Sequence, residues 1–354
     1  HWVKRLHEVL RHHQEIKLVK TVGTRAFDDK KEELEKYGIS EDGYYRVSPN
    51  EPLPEEFFEG LDIVHIASPN QFHKSQTIQS LKNGKVTITE KTFATNKEDL
   101  DEVIKFIRDN KFENKVTVHL HYLSKALTIE LRSRLSELVD KYGKITSISA
   151  SIFEKTDEED MRRTWLFKPE NGGIFMDLIH PVDIASKVLN VREWGIVDAK
   201  TFILQPLYDT VNPTAAEARF EIKGENFNQN STIVVRVGKG LDAEHKKIRI
   251  NFENAVVDLN YVTTEKEIVS GDRGEMKITS DATQTIFPKG PLSYEIMVGE
   301  MLRMLKGDGS GLTLEDIRKI YEPEWEFQEF SKDISPVRSK EEIQKFVQNG
   351  LKNI

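Results

Sequence analysis

Cysteine is absent from the whole sequence of 354 residues. That excludes disulfides, thiolate-held metals and cysteine nucleophiles, and it fits a cytoplasmic setting. No apolar run approaches the roughly 20 residues that span a bilayer as a helix, so no membrane partner is expected. Internal repeats and low-complexity tracts are also missing. The opening, HWVKRLHEVLRHHQEIK, is amphipathic and basic and does not have the apolar stretch of a secretory leader. Nor is there an excess of positive charge. Lys and Arg number 51 against 59 Asp and Glu, a net charge of −8. This balance gives no general attraction to nucleic acid or to anionic membrane.

What is present is enough for packed cores: 38% of residues are hydrophobic and 31% charged. The length allows two domains. Trp2–His13 has Val3, Leu6, Val9 and Leu10 at helical spacing, and Ile16–Gly23 reads as a strand. A helix ending at Gly38 follows, then a buried strand over Leu61–Ser68 and a helix ending at Gly84. KVTITE is a strand, NKEDLDEVIKFIRDN a helix from an Asn cap, and KVTVHLHYL a strand. This alternation predicts a parallel sheet covered on both faces. After Leu127 comes a helix over Thr128–Lys141. From Trp194 to about Thr279 strand-like segments follow one another with short turns, which predicts an antiparallel sheet. The expected class is α/β: a Rossmann-type parallel sheet plus an α+β domain with an open, mostly antiparallel sheet. The expected domains are 1–120 for dinucleotide binding, 121–330 for substrate and oligomerisation, and 331–354 as a linker and short polar helix.

Parallel α/β units bind dinucleotides at the carboxyl ends of their strands, through a G-x-G-x-x-G turn after the first strand. No glycine precedes Gly23, so that turn does not stand ahead of the first helix. The expectation is a nucleotide-binding unit whose first strand and glycine turn fall outside the sequence. The alternative is a domain that binds no nucleotide. After the strand that ends at Gly23 stand Thr24 and Arg25. A hydroxyl beside a guanidinium suits a ribose 2′-phosphate and so NADP, with NAD as the alternative cofactor. The bland reading is a solvated arginine. Ser68, Pro69 and Asn70 make a turn at the end of the next strand, and Glu90 and Lys91 close a third. A lysine there can hydrogen-bond a substrate hydroxyl and help its proton leave.

Three stretches in order, DIVHIASPNQFH, GKVTITEKTFAT and GGIFMDLIHPVD, resemble the glucose-fructose oxidoreductase / inositol dehydrogenase family. Its motifs are D-V-(I/V)-x-I-x-T-P-N-x-x-H, G-K-H-V-x-x-E-K-P-x-A and G-G-x-x-x-D-x-x-x-H-x-x-D. The resemblance implies a Rossmann domain, an open sheet domain that often mediates a homo-dimer or tetramer, and NAD(P)-dependent oxidation of a sugar or cyclitol hydroxyl. Residue by residue, it places His73 and Glu90 with the cofactor motifs. It makes Lys91, Asp177 and His180 catalytic, with His180 the acid/base and the other two tuning and orienting it. The sequence departs from the pattern in reading EKT for EKP and in separating Asp177 from His180 by three residues where four is usual.

A narrower resemblance joins EKTFAT and HLHYLSKAL to glucose-6-phosphate dehydrogenase, with its E-K-P-F-G and D-H-Y-L-G-K. It implies that His121, Tyr122 and Lys125 hold a sugar phosphate, although Leu120 stands where that family has Asp. The bland reading is a plain final strand. The loop EKTDEEDMRRTWLFKPENGG carries Arg163 and Trp165, suited to covering a sugar, or simply a solvated lid.

A lone buried histidine is most often structural. A carboxylate three residues earlier, however, can fix the imidazole tautomer and raise its basicity. Asp and His at helical spacing could also ligate a cation, but no third ligand accompanies them, and no metal is expected. These observations point to an NAD(P)-dependent dehydrogenase or reductase acting on a sugar-like hydroxyl, with a sugar phosphate as the alternative substrate. The rival class is a non-catalytic dinucleotide- or sugar-binding member serving as a sensor or assembly subunit.

Overall fold

Strands and helices alternate through the first 119 residues of the computed structural model. The structure describes residues 2–11, 13–48, 51–155, 171, 173–203, 213–241, 244–309 and 311–352. The chain divides into two units, His1–His119 with Ser293–Leu314, and Leu120–Leu292 with Glu315–Ile354. Among the described residues no helix is long and apolar enough to cross a membrane.

In the first unit β1 (Thr21–Gly23) pairs in parallel with β2 (Tyr44–Arg46). β3 (Ile63–Ile66), β4 (Val86–Glu90) and β5 (Val116–His119) form a second parallel sheet in that order. The strand expected over Ile16–Gly23 shrinks to Thr21–Gly23, because its partner offers only three residues of ladder. β4 is buried at every position and yet reads VTITE. Its threonines are tolerated because helix His73–Lys82 meets them with hydroxyls. Ser80 and Thr87 lie 2.8 Å apart, as do Thr77 and Thr89. Helix Lys97–Asp109 starts where Asn96 Oδ1 accepts the Asp99 N–H at 2.8 Å, and it buries Leu100, Val103, Ile104 and Ile107. Gly84 ends the preceding helix at φ +74°, a conformation a side chain would strain. Helix Ser293–Leu305 returns to this unit and packs on β4 and on helix Trp2–Leu10.

The second unit is built on one eight-stranded sheet, in the order β13-β12-β11-β10-β6-β9-β8-β7. The strands are β6 (Ile145–Lys155), β7 (Glu193–Phe202), β8 (Ala215–Lys223), β9 (Phe227–Leu241), β10 (His245–Phe252), β11 (Val256–Asn260), β12 (Glu275–Thr279) and β13 (Thr283–Ile286). Every pairing is antiparallel except β6 with β9. Strand alternation sends Ile148, Ala150 and Ile152 of β6 and Ile233, Val235 and Val237 of β9 into one core, with Leu131, Leu135 and Leu138 of helix Ala126–Tyr142. On the other face Arg249 donates to both Asp258 oxygens at 2.6 and 2.9 Å and Arg236 pairs with Glu217 at 2.5 Å, beside a smaller apolar cluster of Phe153, Phe202 and Ala215. The short polar helix expected at the C-terminus, Lys340–Lys352, has one apolar edge. Its Phe346 stacks on Phe202 at 4.3 Å and lies 5.4 Å from Phe153. Gly350 makes that approach possible, since a Cβ there would sit 2.3 Å from the Phe153 ring.

Candidate active site

The residues singled out in the sequence fall on both units, and each unit gathers its own. In the first, Thr24, Ser68 and Pro69 line a cavity of about 690 Å³, together with His65, Leu53 and Met301. Thr24 and Arg25 are exposed directly after β1, and Tyr44 donates its hydroxyl to the Arg25 carbonyl at 2.8 Å. This pins the backbone and leaves the guanidinium at the surface. Asn70 is buried at the start of a 3-10 turn that leads into helix His73–Lys82. His73 is fully enclosed, with Nδ1 2.6 Å from the Thr92 carbonyl and Nε2 2.8 Å from the Ser68 carbonyl. It therefore ties the turn after β3 to the turn after β4. Burial pushes its pKa down.

Glu90, the last residue of β4, is also enclosed. Its Oε1 accepts from His119 Nδ1 at 2.9 Å and from His65 Nε2 at 3.2 Å. Burial alone would raise the carboxyl pKa. The two histidines outweigh it and hold Glu90 well below the usual carboxylate range. His73 and Glu90 thus hold the strand ends from behind, while Thr24, Ser68 and Pro69 face the cavity. Lys91, next to Glu90, is half-buried.

In the second unit the chain turns three times between Leu120 and Lys125. These turns present His121 and Tyr122, and both rings meet His180. Tyr122 stacks on the His180 imidazole at 4.5 Å, and His121 meets it edge-on at 4.6 Å. All three are buried. The helix expected to carry both Asp177 and His180 begins only at Ile179, and Asp177 closes a 3-10 turn over Gly173–Asp177. Pro181 is the reason. It has no N–H for the Asp177 carbonyl and its ring would clash there, so the α-helix cannot extend back through Asp177. Gly173 opens the turn at φ +60°.

Asp177 meets a residue that the sequence reading passed over. Its Oδ2 lies 3.1 Å from Lys239 Nζ on β9, and the same ammonium is bonded to Glu154 on β6. Glu154 Oε1 is 3.4 Å from Lys246 on β10, which in turn pairs with Glu244 at 2.6 Å. A signal existed. Glu154 and Lys239 continue the inward rows Ile148–Ala150–Ile152 and Ile233–Val235–Val237 by one more step of two. A charge at an inward position of a core strand calls for a partner. His65 and His119 were missed for a similar reason, since their partner Glu90 lies on a neighbouring strand.

Lys125, matched to a phosphate-holding lysine, is buried and committed. Its ammonium lies 3.0 Å from Glu267 and 3.3 Å from the Val262 carbonyl, and 5.7 Å over the Tyr122 ring. The Tyr122 phenol is pushed well above its ordinary pKa, first by burial and then by Glu154, Asp177, Glu244 and Asp183. Tyr122 is therefore a neutral wall for His180. In this cluster the imidazole is the side-chain type that exchanges a proton near neutral pH. Asp183 is fully buried on the same helix. Arg163 and Trp165 lie outside the described residues. Among those described, no group of three or more His, Asp and Glu side chains is placed to hold a metal ion.

Known proteins resemble the chain in sequence over its first unit and in fold throughout. The family described as an oxidoreductase family with an NAD-binding Rossmann fold, GFO_IDH_MocA, matches residues 4–119. Scyllo-inositol 2-dehydrogenase (NADP(+)) IolU of Bacillus subtilis is 30% identical over 123 residues, 33% of this chain and 36% of that protein. The match thus spans about a third of that relative's length. Over the whole fold, the 3-ketoreductase KijD10 of Actinomadura kijaniata, solved with NADP and TDP-benzene, superposes with a TM-score of 0.73. It is 15% identical, with 93% of each chain covered. Aldose-aldose oxidoreductase of Caulobacter crescentus gives a TM-score of 0.71 at 15% identity, covering 93% of this chain and 94% of that one. Residues 4–119 thus match the Gfo/Idh/MocA oxidoreductase family in sequence, and the chain shares the fold of these two solved oxidoreductases.

Proposed function

We propose that this chain is an NADP-dependent oxidoreductase that moves hydride between the nicotinamide and a secondary or anomeric hydroxyl of a sugar-like substrate. The observation that carries the reading is the enclosed His180 imidazole, walled by Tyr122 and His121, with the Asp177 carboxylate held three residues earlier. When bound, NADP supplies the hydride acceptor or donor. The first unit fits its adenosine end, because the exposed Thr24 and Arg25 at the end of β1 suit a 2′-phosphate and Ser68 and Pro69 line the adjoining cavity. His180 takes the hydroxyl proton on oxidation and returns it on reduction, and Lys91 hydrogen-bonds the substrate oxygen.

The ionic surroundings favour an uncharged polyol over a sugar phosphate. Lys125 is already neutralised by Glu267. Among the described residues the neighbouring ammonium groups are likewise paired with carboxylates, Lys239 with Asp177 and Glu154 and Lys246 with Glu154 and Glu244, so the cluster carries no excess of positive charge to draw a phosphate. The reading includes a homo-oligomer formed through the large sheet. It is tested with a panel of sugars and sugar phosphates, with NADP and NAD, followed at the nicotinamide absorbance. His180→Ala and Lys91→Ala are each expected to lower kcat by about 10²- to 10⁴-fold and to leave NADP affinity within a few-fold. Near-normal turnover in both variants would sink the assignment. Ligand binding without turnover in the unmodified protein would favour a sensor.

A further inference from the structure

We infer that Lys239 is a positioning residue that fixes the Asp177 carboxylate beside the His180 cluster. The inference rests on the catalytic reading of that cluster given above. Lys239 and Glu154 are register partners on the parallel pair β9 and β6, and both point to the inner side of the sheet. Their ammonium and carboxylate are in contact, and the second bond of the ammonium goes to Asp177 Oδ2 at 3.1 Å. The Lys239 and Asp177 side chains are 13% and 9% exposed, so water does little to screen them. Asp177 stands on a 3-10 turn of five residues, not on the helix that carries His180. A short turn does not by itself fix where a carboxylate points, and the strand-borne ammonium does.

Lys239 stays charged. Burial alone would lower its pKa, but Asp177 and Glu154 more than offset this and hold it above its ordinary value. The charged groups of this cluster are Lys239 on Asp177 and Glu154, Lys246 on Glu154 and Glu244, and the carboxylates Glu154, Asp177, Glu244 and Asp183 that act on Tyr122. Carboxylates outnumber ammonium groups in this set. Removing the Lys239 charge would take from Asp177 and Glu154 the cation they share, which favours protonation of one of the two. A buried ion pair gives little net stability, so its value here is orientation and charge state.

The test is a pH profile of kcat/KM joined to a carbon-13 carboxyl titration of Asp177, with the resonance identified by its loss in Asp177→Asn. In Lys239→Met the Asp177 titration is expected to move to higher pH. The acid limb of kcat/KM should follow it, with a loss of about 10²-fold at pH 6 and much less at pH 8. Lys239→Arg keeps the cation and should stay within about five-fold of wild type. The double variant Lys239→Met/Glu154→Gln removes the competing anion and should bring the limb back toward wild type. Glu154→Gln alone gives Lys239 wholly to Asp177 and should lower the Asp177 titration, which keeps the test decisive if Lys239→Met does not fold. An Asp177 titration that stays put in both Lys239→Met and Glu154→Gln overturns the inference. A titration that moves while the kcat/KM profile does not would overturn the catalytic reading of Asp177 and leave the clamp standing.

Discussion

His7 is buried against the ring of Tyr37, with centroids 4.8 Å apart. Burial, helped by the nearby His65, lowers its pKa from 6.5 to about 4. The folded state thus keeps His7 neutral in a pH range where the unfolded chain binds a proton. Stability from this residue is complete above the unfolded value and is lost as pH falls from 6.5 toward 4. The loss is about 3 kcal/mol over that window. We expect His7→Leu to flatten the fall of Tm between pH 7 and pH 4, and an unchanged slope would show that His7 is not neutral in the fold. The candidate site residues were legible one by one. Asp177 and His180 stood out as polar groups in apolar sequence, and Lys91 as a lysine at a strand end. Their partners were not legible. Lys239 is 62 positions from Asp177, and only the packing of the Gly173–Asp177 turn on β9 brings the two together.

At the scale of elements, local rules held where the partner of an element is its own neighbour in sequence. The Asn96 cap and the Gly84 stop are satisfied within a turn of their own helices, so they could be read directly. The Asp177 segment misled because helical spacing was read without the proline. Pro181 needs the helix to start near it. The C-terminal helix expected from the sequence is present, and the structure adds an apolar edge in which Phe346 is joined by Ile343 and Val347. Phe346 is 3% exposed against Phe153 and Phe202. Phe346→Ala is expected to cost about 3 kcal/mol, read as a lower midpoint in urea at an unchanged slope. A shift under about 1 kcal/mol would mean that the helix edge contributes little to the second unit.

At the scale of the whole molecule, the chain enters the first unit, leaves it at His119 and returns over Ser293–Leu314. The returning helix buries Tyr294, Met297, Val298 and Met301. The large sheet carries Arg–carboxylate pairs on the face outside its core. With the proposed homo-oligomer on that sheet, light scattering should give a mass of two or four chains, and Arg249→Glu should shift it toward one. A single-chain mass in the unmodified protein would remove the oligomer from the reading. Composition and periodicity alone determined that this is a two-part α/β protein with a parallel sheet first and an antiparallel sheet second. They could do so because each strand and helix writes its own period into consecutive residues. Tertiary structure decided which carboxylate meets which ammonium, that Lys125 is bound to Glu267 and Asp177 to Lys239, and that a late helix completes the first unit. Ion pairs and returning helices depend on register and packing between distant segments, and no local period records those.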